Sequence, residues 1–334
     1  MNYLKRFITQ YAVPALLLAA PAAALSSCGV MEDLDPCPGG LEMRFVYDHN
    51  LESANAFPNQ VDCLTLHIYD EEGNFVKTLT ETSEALKDEN WRLRPDLEPG
   101  SYHAVAYGGI ACDRASFAHR EEPASGSNFT DIAMALKESH VGTRLHDHFH
   151  GAVDFTVDAR QEGFSQVTVP MTKTTNHFRI LLQHLDNRPV NGDDFEFLIE
   201  DRNGVLDHRN RPASRDMVTY RAWETGSAIP DEGVRAEEQP VQLGYGELST
   251  SRVMLGSSAC LVIRLKETGG EVVRLPLPST LALSKSSADP WSDQEYLDRC
   301  SRWNMTFFLD HNNNWVKTHI IINDWVVRIN DHDF

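Results

Sequence analysis

Residues 41–48 read Leu41-Glu42-Met43-Arg44-Phe45-Val46-Tyr47-Asp48, and apolar side chains occupy every second position from Leu41 to Tyr47. Successive side chains of a β-strand point to opposite faces, so this spacing predicts a strand with one face toward a core. The spacing returns at 61–69, where Leu64, Leu66 and Ile68 share a face. Residues 70–74, Asp-Glu-Glu-Gly-Asn, are then predicted to turn into Phe75-Val76, which indicates a β-hairpin.

Similar strand patterns fill most of the remaining chain. They cover 102–107, 152–157 and 166–170 in the first half, and 178–182, 195–199, 252–254, 259–265, 271–275, 306–309, 315–322 and 325–329 in the second. Residues 201–204, Asp-Arg-Asn-Gly, are predicted to turn a second hairpin after 195–199. Many short strands at such spacing are typical of β-sandwiches, so the predicted fold class is all-β.

Two segments depart from the strand pattern. Ser292-Asp293-Gln294-Glu295 has the spacing of a capping box and predicts a short helix that ends before Asn304. Residues 207–240 are charged, contain prolines and lack clear periodicity. They are therefore interpreted as a long surface loop.

The N-terminus has the pattern of a lipoprotein signal. Lys5 and Arg6 precede an apolar run at 11–25, and Leu25-Ser26-Ser27-Cys28 resembles a lipobox. In a lipobox the cysteine is acylated and becomes the new N-terminus, so Cys28 is the predicted lipidation site. The alternative is a transmembrane helix, but the run is shorter than the roughly 20 residues that span a bilayer and contains two prolines.

The predicted domain organisation follows from the N-terminal signal and from the length of the mature chain. A mature chain of about 300 residues suits two domains of ordinary size. Polar residues at 171–175 interrupt the strand pattern and set the predicted boundary. We therefore expect a signal peptide at 1–27, a tether at 28–36, an N-terminal β-sandwich at 37–170 and a C-terminal β-sandwich at 171–334.

The chain is strongly acidic, with 30 Lys and Arg against 49 Asp and Glu. Without residues 1–27 the balance is 28 against 49, a net charge of −21. Nucleic acid is excluded as an expected partner because no basic footprint is visible. The acidic residues Glu32, Asp33 and Asp35 resemble an export signal for the outer leaflet, or else form a solvated tether.

The cysteines suit an oxidising compartment. With Cys28 lipidated, five remain: Cys37, Cys63, Cys112, Cys260 and Cys300. Their placement allows a Cys260–Cys300 bond and one bond among the first three, but the sequence does not determine the connectivity. No spacing typical of a zinc ribbon or a thioredoxin site occurs.

Two clusters could in principle bind metal, and both have a simpler interpretation. His146, His148 and His150 alternate with Leu145 and Phe149, which predicts histidines on the solvent side of an amphipathic strand. Asp310-x-Asn312-x-Asn314 begins like a calcium loop, but Trp315 replaces the required glycine and Ile321 the final glutamate, so a turn is predicted. No catalytic motif is found, and neither a cofactor nor enzymatic activity is expected.

Several strings together are similar to the FimB-like fimbrial (minor fimbrium) anchoring-subunit family of type V fimbriae. They span nearly the whole mature chain: Cys37-Pro38 with 45–50, Leu97-x-Pro99-Gly100-x-Tyr102 with Gly108-Gly109, Met171-Thr172-Lys173, 294–299, 306–310 and 322–327. One departure is Tyr107, where a tryptophan is expected before the glycine pair. The resemblance implies two tandem transthyretin-like (immunoglobulin-like) sandwiches on a lipoprotein of the cell outer membrane that anchors a fimbrium at its base and terminates its elongation.

The resemblance also implies a partner and a binding mode. The partner is a fimbrial stalk subunit, and contact is expected by β-strand donation, in which a strand of one subunit completes the sheet of another. The candidate donor residues are Ile320, Ile322, Trp325, Val327 and Ile329. The alternative is that this strand closes its own domain.

Two other functional classes remain open. A surface glycan-binding lipoprotein would need an aromatic platform, for which Trp91, Trp223 and Trp291 are candidates. A secreted hydrolase is the third class.

Overall fold

The computed structural model describes residues 40–158, 163–229, 241–317 and 319–328. In these ranges the protein is built mainly from β-strands, which confirms the all-β fold class. The strands of the first half are β1 (Gly40–Val46), β2 (Leu64–Asp70), β3 (Phe75–Glu81), β4 (Gly100–Gly108), β5 (Phe117–His119), β6 (Ala133–Leu136), β7 (Phe149–Val157) and β8 (Phe164–Lys173).

The second half adds eleven strands. They are β9 (Asn176–His184), β10 (Phe195–Asp201), β11 (Val205–Asp207), β12 (Val218–Arg221), β13 (Glu224–Ala228), β14 (Leu243–Thr250), β15 (Cys260–Leu265), β16 (Glu271–Pro276), β17 (Arg302–Leu309), β18 (His319–Ile322) and β19 (Trp325–Arg328). The α-helices of the described residues are α1 (Phe57–Gln60), α2 (Leu277–Ala282) and α3 (Asp293–Arg299), and short 3-10 helices span Glu84–Lys87, Phe129–Asp131, Glu138–His140 and Gly192–Asp194.

The first sheet has the strand order β1-β8-β7-β4-β2-β3. β7 and β8 pair only from Phe149 to Gly151, so the sheet bends at that corner. β1 and β8 then pack over the other strands through a core that includes Met43, Phe45, Leu66 and Val169. The alternation at 41–47 thus makes β1 an edge strand whose apolar face fills this core, as predicted.

The second half forms two further sheets that pack face to face. Their strand orders are β12-β10-β15-β16 and β13-β14-β9-β17-β18-β19. The core between them includes Phe178, Phe197, Leu261, Trp303 and Ile320. β8 ends at Lys173 and β9 begins at Asn176, so the chain passes from the first sheet to the second through Thr174-Thr175.

A three-stranded sheet, β11-β6-β5, joins strands from distant parts of the chain. It corrects the predicted hairpin at 201–204, because β11 pairs with β6 whereas β10 pairs with β12 and β15. The predicted loop at 207–240 is also wrong in part, since it contains β12 and β13. The rest of it, 230–240, lies outside the described residues.

One strand was predicted in the wrong place. Residues 252–254 are not a strand, and the preceding β14 was missed because Gly244 and Gly246 weaken its strand propensity. The glycines are required by packing, since a Cβ on Gly246 would lie 2.5 Å from the Phe197 ring. The predicted helix is confirmed as α3, where the Ser292 side chain accepts from the Glu295 N–H at 3.2 Å.

One disulfide is formed in the described residues, between Cys63 and Cys112. The Cys260–Cys300 bond that the sequence allowed is not formed, and both thiols are free. Burial raises the pKa of the Cys300 thiol to about 12, which keeps it protonated and unreactive at neutral pH. Cys37 lies outside the described residues.

Candidate partner-binding surfaces

The C-terminal hairpin is the first candidate surface. β17 runs parallel to β9, β18 pairs antiparallel with β17, and β19 pairs antiparallel with β18 at the edge of the sheet. Asn323 and Asp324 form the two-residue turn with φ values of 47° and 71°. Positive φ at both positions is the requirement of a type I′ hairpin turn, which asparagine and aspartate tolerate.

The two faces of this hairpin differ. Ile320, Ile322 and Val327 are buried in the chain's own core. Trp325 and Val326 are 57% and 62% exposed, respectively. Edge strands with apolar side chains and unpaired main-chain groups are templates for another strand. The hairpin therefore joins a fixed inner part to an exposed outer edge. Ile329, the fifth candidate residue, lies outside the described residues.

The predicted lipidation site Cys28 also lies outside the described residues. In the part of the chain that the structure describes, no helix is long and apolar enough to cross a membrane.

A buried polar network lies where the first sheet meets the second. Lys173 Nζ donates to Asp147 Oδ2 at 2.7 Å, and the Thr175 hydroxyl donates to Asp147 Oδ1 at 3.2 Å. His177 Nε2 lies 2.9 Å from the same Oδ1, and its Nδ1 lies 3.0 Å from Ser249 Oγ. We call Asp147, Lys173, Thr175, His177 and Ser249 the junction network.

The junction network contains an Asp-His-Ser array with the distances of a catalytic triad. A nucleophile must be reachable by substrate. Ser249 is only 3% exposed and lies in the middle of β14, and the Lys173 ammonium neutralises Asp147. The array is therefore suited to holding β9, β14 and the chain at 147 together rather than to acyl transfer.

The three histidines correct the sequence prediction of a solvent-facing row. His148 and His150 are buried, and only His146 is partly exposed. His150 lies on the outer face of β7, but the β11-β6-β5 sheet covers that face. The prediction placed the whole outer face of β7 in solvent, whereas that face is covered at His150 and exposed only from Ala152 onward, at Ala152, Asp154 and Thr156.

His148 and His150 belong to a larger cluster around Tyr107. The ring centroids of His67, His119, His148 and His150 lie 5.5–6.0 Å from that of Tyr107. His67 Nε2 and His119 Nε2 are 2.9 Å apart, and His150 Nε2 donates to the His208 carbonyl at 2.9 Å. We call Tyr107 and these four histidines the tyrosine–histidine cluster.

Burial keeps this cluster neutral. It lowers the pKa of His67 to about 3, with the neighbouring His119 adding to the effect. It lowers the pKa of His148 to about 3 and that of His150 to about 4. Desolvation penalises the imidazolium form, and the opposing charges of Glu122 near His119 and Asp207 near His150 do not offset it. Among the described residues, no three His, Cys, Asp or Glu side chains are placed to hold a metal ion.

The turn predicted at 310–314 is confirmed. Asp310 Oδ1 accepts from the N–H groups of Asn312 and Asn314 at 2.8 and 2.9 Å. The turn at 70–74 has the same form, with Asp70 Oδ1 accepting from the Asn74 N–H at 2.7 Å. Both Asp310 carboxylate oxygens are thus engaged by the chain itself, since Oδ2 also accepts from Asn314 Nδ2 at 3.1 Å.

The three candidate tryptophans do not form one platform. Trp91 stacks on Phe45, Trp223 lies beneath the Arg144 guanidinium, and Trp291 lies beneath that of Arg299. Within the described residues no ring contact joins any two of the three.

The sequence matches the family of fimbrillin-A associated anchor proteins Mfa1 and Mfa2 over residues 34–331. The chain belongs to this family. The resemblance to fimbrial anchoring subunits is thereby confirmed, and the family is one of structural anchor proteins associated with fimbriae rather than one of known enzymes.

Solved structures agree with this family assignment. A proposed adhesin from Bacteroides thetaiotaomicron is 42% identical, with a TM-score of 0.83 over 89% of this chain and 100% of that chain. A proposed polysaccharide-binding protein from the same organism is 26% identical, with a TM-score of 0.77 over 89% and 100%. The fimbrial anchor protein Mfa2 from Porphyromonas gingivalis shares the fold at 15% identity, with a TM-score of 0.66 over 88% and 100%. No curated protein matches the chain.

The junction network was missed by the sequence analysis. Met171-Thr172-Lys173 carried part of the family resemblance, but its side-chain role depends on Asp147 and Ser249, which come from distant segments. The lysine inside the predicted boundary at 171–175 was the one available signal.

Proposed function

We propose that this anchor-family protein is an outer-membrane lipoprotein that holds a fimbrium at its base, ends its elongation and contacts the last stalk subunit by β-strand donation. The observation that carries the proposal is the family match, which begins at residue 34, shortly after Cys28. A lipid at Cys28 would fix one end of the chain to the membrane, while the C-terminal hairpin offers the other end to a protein partner.

The lipid half of the proposal rests on the signal at 5–28. Each buried methylene contributes about 0.8 kcal/mol, so two or three acyl chains hold a protein firmly where one does not. The acidic mature chain is repelled by anionic lipid, so the acyl chains must supply the attachment.

Replacing Cys28 by serine should release fimbriae into the medium with this protein still attached to them. The acyl chains would be lost, while the C-terminal contact would remain. The measurement is an immunoblot of cell and medium fractions, with mass spectrometry of the mature N-terminus. A wild-type peptide running unmodified through residues 26–30 would rule out lipidation.

The donation half rests on β19. Within the described residues β19 pairs with β18 alone. Among the described side chains of β19, Val327 is the one that is buried. β18 is more firmly fixed, because Ile320 and Ile322 are fully buried. Donation would therefore use β19 and the residues after it, while β18 stays in its own sheet.

A disulfide lock tests this directly. Ile321 and Val326 face each other across β18 and β19, at a separation that suits a disulfide. The Ile321→Cys/Val326→Cys variant should lose most of its fimbrial retention when oxidised and regain it on reduction, because β19 could no longer leave β18.

The matched control is Ser101→Cys/Thr156→Cys, a facing pair on β4 and β7 far along the chain from the hairpin. This disulfide should leave retention unchanged. Normal-length fimbriae held equally well by the oxidised Ile321→Cys/Val326→Cys protein would exclude donation by β19.

Glycan binding is the second candidate function. It is favoured by the likeness to the proposed polysaccharide-binding protein. The separation of Trp91, Trp223 and Trp291 argues against glycan binding, because sugars that stack on aromatic rings need several rings on one surface. A glycan array with the full-length protein in detergent tests it, and no binding to any glycan would exclude it.

A further inference from the structure

Two clefts meet at the junction between the first and second sheets. One has a volume of about 720 Å³ and the other about 400 Å³. Arg144, His177 and Arg302 line both. Because the two clefts share these three residues, we treat them together and call them the arginine cleft.

The walls of the arginine cleft are fixed by the fold. His177 and Arg302 are register partners at the start of the parallel strands β9 and β17. The Cys63–Cys112 disulfide ties down the opposite wall, which carries Asp62 and Arg114. A site on such rigid elements is preorganised and loses little entropy on binding.

Charge pairing leaves the cleft with unused cations. Asp62, Asp147 and Glu247 are paired with Lys87, Lys173 and Arg179 at 2.7, 2.7 and 3.0 Å. Three arginines that line the cleft have no carboxylate partner among the described residues: Arg114, Arg144 and Arg302. Among the described lining residues, Asp113 is the one carboxylate without a cationic partner.

The positive field of these cations acts on their neighbours. Burial lowers the pKa of Lys173 despite the opposing pull of Asp147, and the charges of Arg302 and Arg144 lower it further. Burial also lowers the pKa of His146; the charges of Asp147 and Asp62 oppose this shift, and those of Arg114 and Lys173 add to it. With three unpaired arginines against one unpaired carboxylate in its described lining, the cleft is locally positive in a chain of net charge −19.

The aromatic lining of the cleft does not suit a sugar. Phe178 and Trp303 are buried. The Arg144 guanidinium carbon lies 5.9 Å from the Trp223 ring centroid, so a cation occupies that ring face. Guanidinium forks that remain exposed instead match carboxylates, which they bind through two parallel hydrogen bonds.

We propose that the arginine cleft binds an acidic peptide segment of a protein partner. This proposal rests on the proposed function in one respect, namely that the partner is a protein. The three free arginines recognise Glu or Asp side chains, and the rest of the acidic surface repels such a segment, so binding is confined to the cleft.

The test uses the full-length chain in a zwitterionic detergent and a fluorescent peptide of alternating Glu and Ser. A peptide of equal length with Gln in place of Glu is the probe control. Only the Glu peptide should bind, and its affinity should fall as salt rises. The Arg144→Gln/Arg302→Gln variant should weaken binding by about tenfold or more.

The matched control variant is Arg188→Gln, an exposed arginine paired with Asp186 outside the cleft, which should bind as the wild type does. Both cleft arginines are exposed, and an unchanged near-ultraviolet circular dichroism spectrum confirms folding. Equal binding of the Glu and Gln peptides, or equal affinity of the cleft and control variants, would overturn the proposal.

Polygalacturonate is the third probe, because it is acidic but is not a peptide. Binding of this acidic polysaccharide without binding of the Glu peptide would also overturn the proposal. None of these failures bears on membrane attachment, because release of fimbriae by Cys28→Ser is measured independently.

Discussion

Lowering the pH from 7 to 5 should reduce the free energy of unfolding by about 2 kcal/mol for each of His67, His148 and His150. Their folded pKa values, about 3, 3 and 4, lie below the unfolded value near 6.5. The unfolded chain therefore takes up protons first. The stability is fully present above pH 6.5 and is lost as the pH falls toward 4. Urea unfolding at pH 7, 6 and 5 measures it.

The acid response has a specific control. His148→Gln removes one titrating group. The slope of the free energy of unfolding against pH should therefore fall by the contribution of one proton, roughly 1.4 kcal/mol per pH unit. His311→Gln, at an exposed turn position, is the comparison variant for loss of a histidine outside the cluster. An unaltered slope in His148→Gln would mean that this imidazole is not held neutral by burial.

Replacing Lys173 by methionine should destabilise the protein by about 3–5 kcal/mol. The Lys173 side chain is 1% exposed and lies 2.7 Å from Asp147, so its loss leaves a largely buried carboxylate without its cation. The double variant Lys173→Met/Asp147→Asn should recover part of this loss, because the unpaired charge is removed. Thermal and urea unfolding at pH 7 measure both variants.

Lys87→Met is the matched control for this effect. Lys87 and Asp62 also lie 2.7 Å apart, but their side chains are 36% and 49% exposed. Water screens such a pair, so its loss should cost less than about 1 kcal/mol. Equal destabilisation by Lys87→Met and Lys173→Met would show that burial does not set the strength of the junction network.

Local signals in the sequence predicted much of this fold. Alternation at 41–47 and 64–68 predicted β1 and β2, because a strand with one core-facing side needs a period of two. The turn at 70–74 and the cap at Ser292 are equally local, since their hydrogen bonds form within four residues. All of these were predicted correctly.

The errors come from contacts between distant segments. His148 and His150 were placed in solvent because nothing near them indicates the sheet that covers them. That sheet takes β11 from 205–207, and the same pairing removes β11 from its predicted hairpin with β10. β14 was missed for a related reason. Its Gly246 is required by contact with the Phe197 ring, and Phe197 lies in a distant segment, so the sequence around β14 does not explain the glycine.

The candidate sites divide in the same way. The C-terminal strands were predicted from alternation, and the family from strings spread along the chain. The junction network and the arginine cleft were not predicted, because Asp147, His177 and Arg302 meet only when β9 and β17 lie side by side.

The buried connection at Thr174-Thr175 has a mechanical consequence. Both residues are fully buried, the Thr174 N–H donates to the His148 carbonyl at 2.7 Å, and each flanking strand has a parallel neighbour, β1 for β8 and β17 for β9. Tension applied between Gly40 and the C-terminal hairpin pulls the two strands of each parallel pair in opposite directions. The pairs are then loaded in shear, so their hydrogen bonds must break together rather than one after another. Under flow, the path through β1, β8, β9 and β17 would resist rupture, and the four-residue pairing of β18 with β19 would yield first.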